Sequence, residues 1–317
     1  MKNNHLVIMA GGVGSRFWPV SSPECPKQFL DVLGCGKTLI QLTVERFKDI
    51  VLPENIWIVT SAKYKDLVSE QLPEVPSENV LLEPCQRNTA PCICYVSWKI
   101  KKRNPRANVV VAPSDHIITD IQKFRSSITD AMDFSAETDS IVTLGIRPTF
   151  HATGYGYIKQ SNYFWNSGIF IWRVSTIVNA FRVYNPEMSR IFSDLFPYYD
   201  TEQEQEMIDK IFPTCENISV DYAIMEKAEE IFVYPSAFGW SDLGSWISLH
   251  EQTPKDKYGN ACIGENIDLY DTHNCIVHTT QQKKVVIQGL DGYIVVEKDG
   301  TLLICKMSEE QRIKLFH

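Results

Sequence analysis

The sequence predicts an α/β fold, a doubly wound sheet followed by a small, mostly β appendage. Three observations predict it. Short apolar runs of strand length recur at Leu6 to Met9, Ile56 to Thr60, Val109 to Ala112 and Ile141 to Leu144, and such runs mark strands buried on both faces of a parallel sheet. Stretches with helical spacing lie between them, at Leu39 to Phe47, Tyr64 to Gln71 and Ala90 to Lys102, and alternation of strand with helix is how parallel strands are joined. After about Tyr258 the pattern changes to short segments at Cys275 to Thr279, Lys284 to Ile287, Tyr293 to Val296 and Thr301 to Cys305, separated by Gly, Asp and Asn turns and closed by a short helix. The expected division is a large domain at 1–258 and a small β-rich one at 259–317. Ligands of a doubly wound sheet sit beyond the carboxyl ends of its strands, so those ends are where chemistry is expected.

Composition narrows the partners. A formal charge of -8 gives no overall reason to bind DNA or RNA, while local cations can still hold a small phosphorylated molecule. The nine cysteines contain no C-x-x-C pair, and Cys92 and Cys94, in a segment read as helix, are expected to be buried free thiols. The polar start, Met1 to His5, leads into an apolar run too short for a signal peptide, and no run reaches transmembrane length. A reduced, cytoplasmic protein with no membrane partner is expected.

The first strand ends in Ala10-Gly11-Gly12-Val13-Gly14-Ser15-Arg16. Glycines remove the Cβ barrier and let backbone N–H groups approach an anion, so this is a phosphate cradle in outline. Two familiar alternatives fail on spacing. The dinucleotide fingerprint needs a glycine where Phe17 stands, and Gly34-Cys35-Gly36-Lys37-Thr38 would need one at Asp31 to be a P-loop. Downstream, Pro26-Lys27-Gln28-Phe29 brings a second cation close in sequence to Arg16; Arg suits bidentate phosphate contact and Lys acts as a point charge.

Two aspartates form the second element. Asp115 follows the apolar run Val109 to Ala112, and Asp242 sits in Gly239-Trp240-Ser241-Asp242-Leu243-Gly244-Ser245-Trp246. Magnesium takes one or two protein carboxylates plus phosphate oxygens, so two Asp suffice; a turn or helix cap is the plainer reading of each alone.

These segments, with Glu83-Pro84-Cys85-Gln86-Arg87-Asn88-Thr89-Ala90-Pro91 and Pro113-Ser114-Asp115-His116, resemble the mannose-1-phosphate guanylyltransferases. Thr153-Gly154-Tyr155-Gly156-Tyr157-Ile158, Trp165-Asn166-Ser167-Gly168, Asp221 to Lys227 and Trp240 to Trp246 extend the resemblance in the same order, to about Asn260. It implies a Rossmann-like, GT-A-like nucleotidyltransferase domain with an appendage like a short left-handed β-helix. The implied reaction is transfer of GMP from GTP to mannose 1-phosphate with Mg2+ as cofactor, giving GDP-mannose and pyrophosphate. The appendage would pack against the catalytic domain or against a second subunit in a homodimer, and the sequence leaves both open.

The resemblance also implies roles. Gly11, Gly12, Gly14 and Ser15 would hold the triphosphate, Arg16 would neutralise the departing pyrophosphate, and Lys27 would sit near the reacting phosphates. The segment from Glu83 through Arg87, Asn88 and Thr89, with Ser114, would bind the nucleotide. A carboxylate such as Glu83 could accept from guanine N1–H and N2–H, although which residue reads the base is left open. Gly154, Asn166, Glu226 and Lys227 would line the sugar-phosphate pocket, and Asp115 and Asp242 would bind the metal. Trp165, Trp240 and Trp246 are expected to pack rather than touch substrate, and His116 reads equally as a phosphate-orienting group or a satisfied structural histidine.

Two departures from the family pattern stand out. Its members carry a Phe-x-Glu-Lys-Pro motif and a helix between the Gly-Tyr-Ile block and the Asn-Ser-Gly block, whereas here Ile158-Lys159-Gln160-Ser161 runs into Asn162-Tyr163-Phe164-Trp165. A true deletion would weaken the hold on the sugar. The favoured alternative is that the sequence as it stands omits a mobile segment, because losing a strand beside an active site is costly. Some relatives also continue into a cupin-like isomerase domain, so a bifunctional isomerase is not expected here.

Overall fold

Leu6, Val7 and Ile8, the middle of the first apolar run, are fully buried, as are Ile58 and Val59 of the second and Val110 and Val111 of the third. The computed structural model of the chain describes residues 1–317 except 13, 15–16, 149–155, 160–162, 280–282 and 317. The first ten strands are β1 (Asn4–Met9), β2 (Ile56–Ser61), β3 (Val80–Glu83), β4 (Asn108–Pro113), β5 (Ile117–Ile118), β6 (Ile141–Ile146), β7 (Tyr157–Lys159), β8 (Tyr163–Arg173), β9 (Ile231–Ser236) and β10 (Trp240–Ser241). By packing the chain divides into two compact units, one of residues 1–11, 43–114 and 118–240, the other of 12–42, 115–117 and 241–317.

The first unit is built on an eight-stranded sheet of order β3-β2-β1-β4-β8-β6-β9, with β7 paired to β8. The pairs β1–β2, β1–β4, β2–β3 and β6–β9 are parallel, as the apolar runs predict. The sheet is nevertheless mixed, because β8 runs antiparallel to both β4 and β6. A parallel return needs a crossover of a dozen or more residues, usually helical. Between β6 and β8 the described residues hold only β7, whose Tyr157, Ile158 and Lys159 pair antiparallel with Trp165, Phe164 and Tyr163. The sheet topology sets a common edge: Met9 pairs with Pro113 and Ser61 with Glu83, so Gly11, Glu83 and Ser114 all follow or end strands on the carboxyl side.

Helix Thr89–Arg103 packs against this sheet. Asn88, at φ 64°, supplies the cap by accepting from Thr89 N–H, and Lys101, Lys102 and Arg103 in the last turn suit the negative end of the helix dipole. Its Ile93, Cys94, Val96 and Ile100 are fully buried, packed in one core with Val174, Ile177 and Phe181 of helix Val174–Tyr184 and with Phe192 of Pro186–Asp194. Cys92 lies in the same core, and all nine cysteines are free thiols. The one charged group this helix buries, Lys99, is matched. Its Nζ lies 2.8 Å from both carboxylate oxygens of Glu204, which also accept from Tyr95 Oη at 2.7 Å and Asp200 N–H at 2.7 Å.

The second unit has its own core of Phe17, Val20, Val32, Leu39, Trp246, Leu249, Ile263, Ile276 and Ile294. Its strands are β11 (Ala261–Ile263), β12 (Ile267–Tyr270), β13 (Ile276–Thr279), β14 (Val285–Gln288), β15 (Tyr293–Lys298) and β16 (Thr301–Lys306). Parallel stacking of β11, β13 and β15, and separately of β12 and β14, makes successive rungs of a coil. The antiparallel β16 and the 3-10 segment Met307–Leu315 close it. Gly264, at φ 121°, turns one corner where a Cβ would stand 2.2 Å from Thr279 Oγ1. No helix among the described residues is long and apolar enough to cross a membrane.

Removing one member of a buried ion pair strands the other, which typically costs about 3–5 kcal/mol. Lys99→Met should therefore lower stability in urea by about that amount, and a loss typical of a surface ion pair would show that the Lys99–Glu204 pair contributes little.

Candidate active site

Within the second unit, Gly14, Phe17, Lys27, Asp115, His116, Asp242 and Gly244 line one cavity of about 360 Å³. Lys27 is its pivot. The 3-10 turn Lys27–Phe29 follows Pro26 and buries the lysine, leaving 7% exposed. Its Nζ donates to Asp115 Oδ2 at 2.9 Å, the Leu243 carbonyl at 2.9 Å and the Asp242 carbonyl at 3.2 Å, and it stands 5.8 Å from the centre of the Phe17 ring. Burial alone would raise the Asp115 carboxyl, but the Lys27 ammonium, with help from His116, outweighs it and holds the group below its ordinary range. Asp115 is therefore an anion at neutral pH. His116 Nε2 lies 3.8 Å from Asp115 Oδ1, so this histidine faces the cavity.

Two glycines make room for these charges. Gly14 has φ 56°, and a Cβ there would meet Lys27 Cγ at 3.0 Å and its backbone nitrogen at 3.1 Å. A Cβ on Gly244 would stand 2.7 Å from Asp242 Oδ2, and Gly244 N–H donates to Asp242 Oδ1 at 3.0 Å. Gly12 contributes a carbonyl that accepts from Gln28 Nε2 at 2.8 Å, tying the glycine loop to the turn that carries Lys27.

The remaining expected residues that are described lie in the first unit. Glu83, the last residue of β3, is 8% exposed, and its Oε1 has no hydrogen-bond partner among the described residues. A Cβ on Gly11 would stand 3.0 Å from Glu83 Oε2, so the glycine keeps that carboxyl's space open. Gln86 Nε2 donates to the Gly11 carbonyl at 3.1 Å. Arg87 is half-buried and donates to the Pro213 carbonyl, while Thr89 Oγ1 accepts from Val220 N–H at 2.9 Å. Ser114 is buried, with its N–H on Met9 O at 3.2 Å. Asn166 donates to Asp221 Oδ1 at 2.7 Å and accepts from Gly168 N–H at 3.0 Å. Glu226 and Lys227 are exposed at the end of the turn Asp221–Met225, whose first carbonyl accepts from Glu226 N–H at 2.9 Å. Ser15, Arg16 and Gly154 lie outside the described residues.

Residues 5–258 match the nucleotidyl transferase family. Mannose-1-phosphate guanylyltransferase 2 of Escherichia coli O157:H7 is 32% identical over 97% of this chain and 71% of its own length. The mannose-1-phosphate guanylyltransferase of Escherichia coli K12 is 31% identical over the same share of this chain. The chain belongs to the mannose-1-phosphate guanylyltransferase family. A crystal structure described as a mannose-1-phosphate geranyltransferase from Thermus thermophilus superposes with a TM-score of 0.89 at 25% identity, covering 99% of this chain and 98% of that one. The alignment to the O157:H7 guanylyltransferase runs over 350 positions, more than the 317 residues present here, so that relative carries residues this chain lacks within the matched stretch.

The sequence blocks of the guanylyltransferase family thus fall into groups with different local roles. Lys27, Asp115, Asp242, Gly14 and Gly244 converge on one cavity. Arg87, Asn88 and Thr89 each make a contact that fixes the start of helix Thr89–Arg103. Two contributors carry no signal of their role in the sequence: Phe17, which lines the cavity, and Asp221, which accepts from Asn166. Trp165, Trp240 and Trp246 are buried, as expected of packing residues.

Burial pushes the Glu83 carboxyl up from 4.5 to about 8. The folded state thus holds this proton more tightly than the unfolded chain does. The associated stability is complete below about 4.5 and is lost as the pH rises through about 8. Glu83→Gln, neutral throughout, should match wild-type stability at pH 4 and exceed it at pH 9, by an amount of the order of a few kcal/mol. Equal melting at both pH values would mean that Glu83 is solvated in the free protein.

Proposed function

We infer that the chain is a mannose-1-phosphate guanylyltransferase: it transfers GMP from GTP to α-D-mannose 1-phosphate and releases pyrophosphate. The observation that carries this reading is the cavity where Lys27, Asp115 and Asp242 meet, in a chain whose relatives bear that name. Asp115 and Asp242 would hold Mg2+, which fits the donor set: both are hard oxygen ligands, and Asp115 is kept ionised. Among the described residues no group of three or more His, Cys, Asp or Glu could hold a metal unaided, so the phosphates of the nucleotide would complete the shell. Bound there, Mg2+ would offset the negative charge of the triphosphate.

The chain's own residues supply the rest. The attacking oxygen of the sugar phosphate is already an anion, so no base is needed and no covalent intermediate is required. What remains is alignment and relief of charge repulsion at the α-phosphorus. Lys27, anchored by its turn and lining the cavity, supplies a positive charge to the phosphates. Arg16 would neutralise the pyrophosphate as it leaves, and the amides of the glycine loop would cradle it. Glu83, buried with an unpaired oxygen, suits the paired N1–H and N2–H donors of guanine, which adenine lacks. Asn166, its amide oriented by Asp221, would address the sugar with Glu226 and Lys227. The free thiols match a reducing cytoplasmic compartment.

Purified protein with magnesium should release pyrophosphate with GTP and mannose 1-phosphate, and more slowly with each other NTP or with glucose 1-phosphate. Asp115→Asn and Asp242→Asn should each lower kcat by on the order of 10²-fold or more. GTP binding without turnover for any sugar phosphate would instead favour a non-catalytic nucleotide-sugar sensor, the outcome to which the absent Phe-x-Glu-Lys-Pro segment points.

A further inference from the structure

Lys27 sits in a cage of three oxygens, one from each of Asp115, Asp242 and Leu243, at 2.9 to 3.2 Å. Three N–H groups meet three acceptors, so the ammonium is satisfied where it stands. That arrangement is a cation site in its own right: converging hard oxygens, one of them a carboxylate, around a buried positive charge. Its carboxylate is the one that the proposed function gives to the metal. A second cation of charge +2 on Asp115 would face the ammonium at short range, and the two would repel.

We propose that Lys27 is a built-in stand-in for the metal: its ammonium holds Asp115 while the nucleotide is absent, and Mg2+ gains Asp115 only as phosphate oxygens draw the ammonium away. The inference rests on the reading of Asp115 as a metal ligand. It explains why a lysine that lines the cavity is paired there with a carboxylate. The phosphates give Lys27 a new anion, so the exchange swaps one ion pair for two. It also keeps free Mg2+ from loading the empty site, since the protein alone offers the metal an occupied ligand.

The test is Mn2+ binding, followed by electron paramagnetic resonance, in protein free of nucleotide. Lys27→Met should bind Mn2+ at least about tenfold more tightly than wild type, because the competitor for Asp115 is gone. Lys27→Gln, polar and neutral but one atom shorter, is the second variant and should gain similarly. Lys27→Arg keeps the charge and should stay near wild type, and adding Asp115→Asn to Lys27→Met should abolish the gain. An unchanged or weaker affinity in both neutral variants would overturn the proposal. In that event, a loss of Mn2+ binding by Asp115→Asn with GTP present would leave the metal-ligand reading standing, whereas no effect of Asp115→Asn with GTP would overturn that reading as well.

Discussion

The ion pair between Lys27 and Asp115 is the contact around which the second unit is organised. Lys27 belongs to the stretch 12–42, Asp115 to 115–117, and the two carbonyls that complete its cage to 241–317, so one buried ammonium fastens three pieces of chain far apart in sequence. The local backbone is shaped to permit it. Gly14 takes a left-handed conformation against the lysine stem, and Gly244 leaves space beside the Asp242 carboxylate. Beneath them Phe17 packs on Trp246 at 5.1 Å, which gives the charged cluster an apolar floor. A buried charge is tolerated only with its partners in place. That requirement makes the cluster costly to break unless a new partner is supplied.

Glu83 presents the opposite situation. It is buried at the end of β3 with one oxygen unpaired among the described residues, and Gly11 leaves room beside the other. The folded chain meets this by holding the group protonated. Under the proposed function guanine supplies the missing donors and would draw out that proton, so a cost carried by the free protein becomes discrimination between bases. The contrast with Lys99 and Glu204 is instructive: that equally buried pair is satisfied within the protein and serves the core alone.

Much of this was legible in sequence because it rests on patterns that buried strands and tight turns impose. The apolar runs at Leu6, Ile56, Val109 and Ile141 are strands, Ala90 to Lys102 lies within a helix, and the last four short segments are rungs or edges of the β coil. The antiparallel course of β8 was not legible, because an apolar run such as Ile169 to Trp172 reads the same in either direction. Strands Ala261–Ile263 and Ile267–Tyr270, of three and four residues, are too short for alternation to single them out in sequence. At the site, the charged residues of the cavity could be named, since their types and spacing carry the chemistry. The bond of Asn166 to Asp221 and the helix-fixing contacts of Arg87 and Thr89 could not, because they join residues more than fifty positions apart.

The central claim, that the Lys27–Asp115 pair is a preassembled, energetically coupled unit, is tested most directly by a double-mutant cycle. Wild type, Lys27→Met, Asp115→Asn and the double variant would be unfolded by denaturant in metal-free buffer without nucleotide. The account predicts a coupling above about 1.5 kcal/mol, with the double variant less destabilised than the two single losses added together. A coupling below about 0.5 kcal/mol, the value of a solvated surface pair, would contradict it.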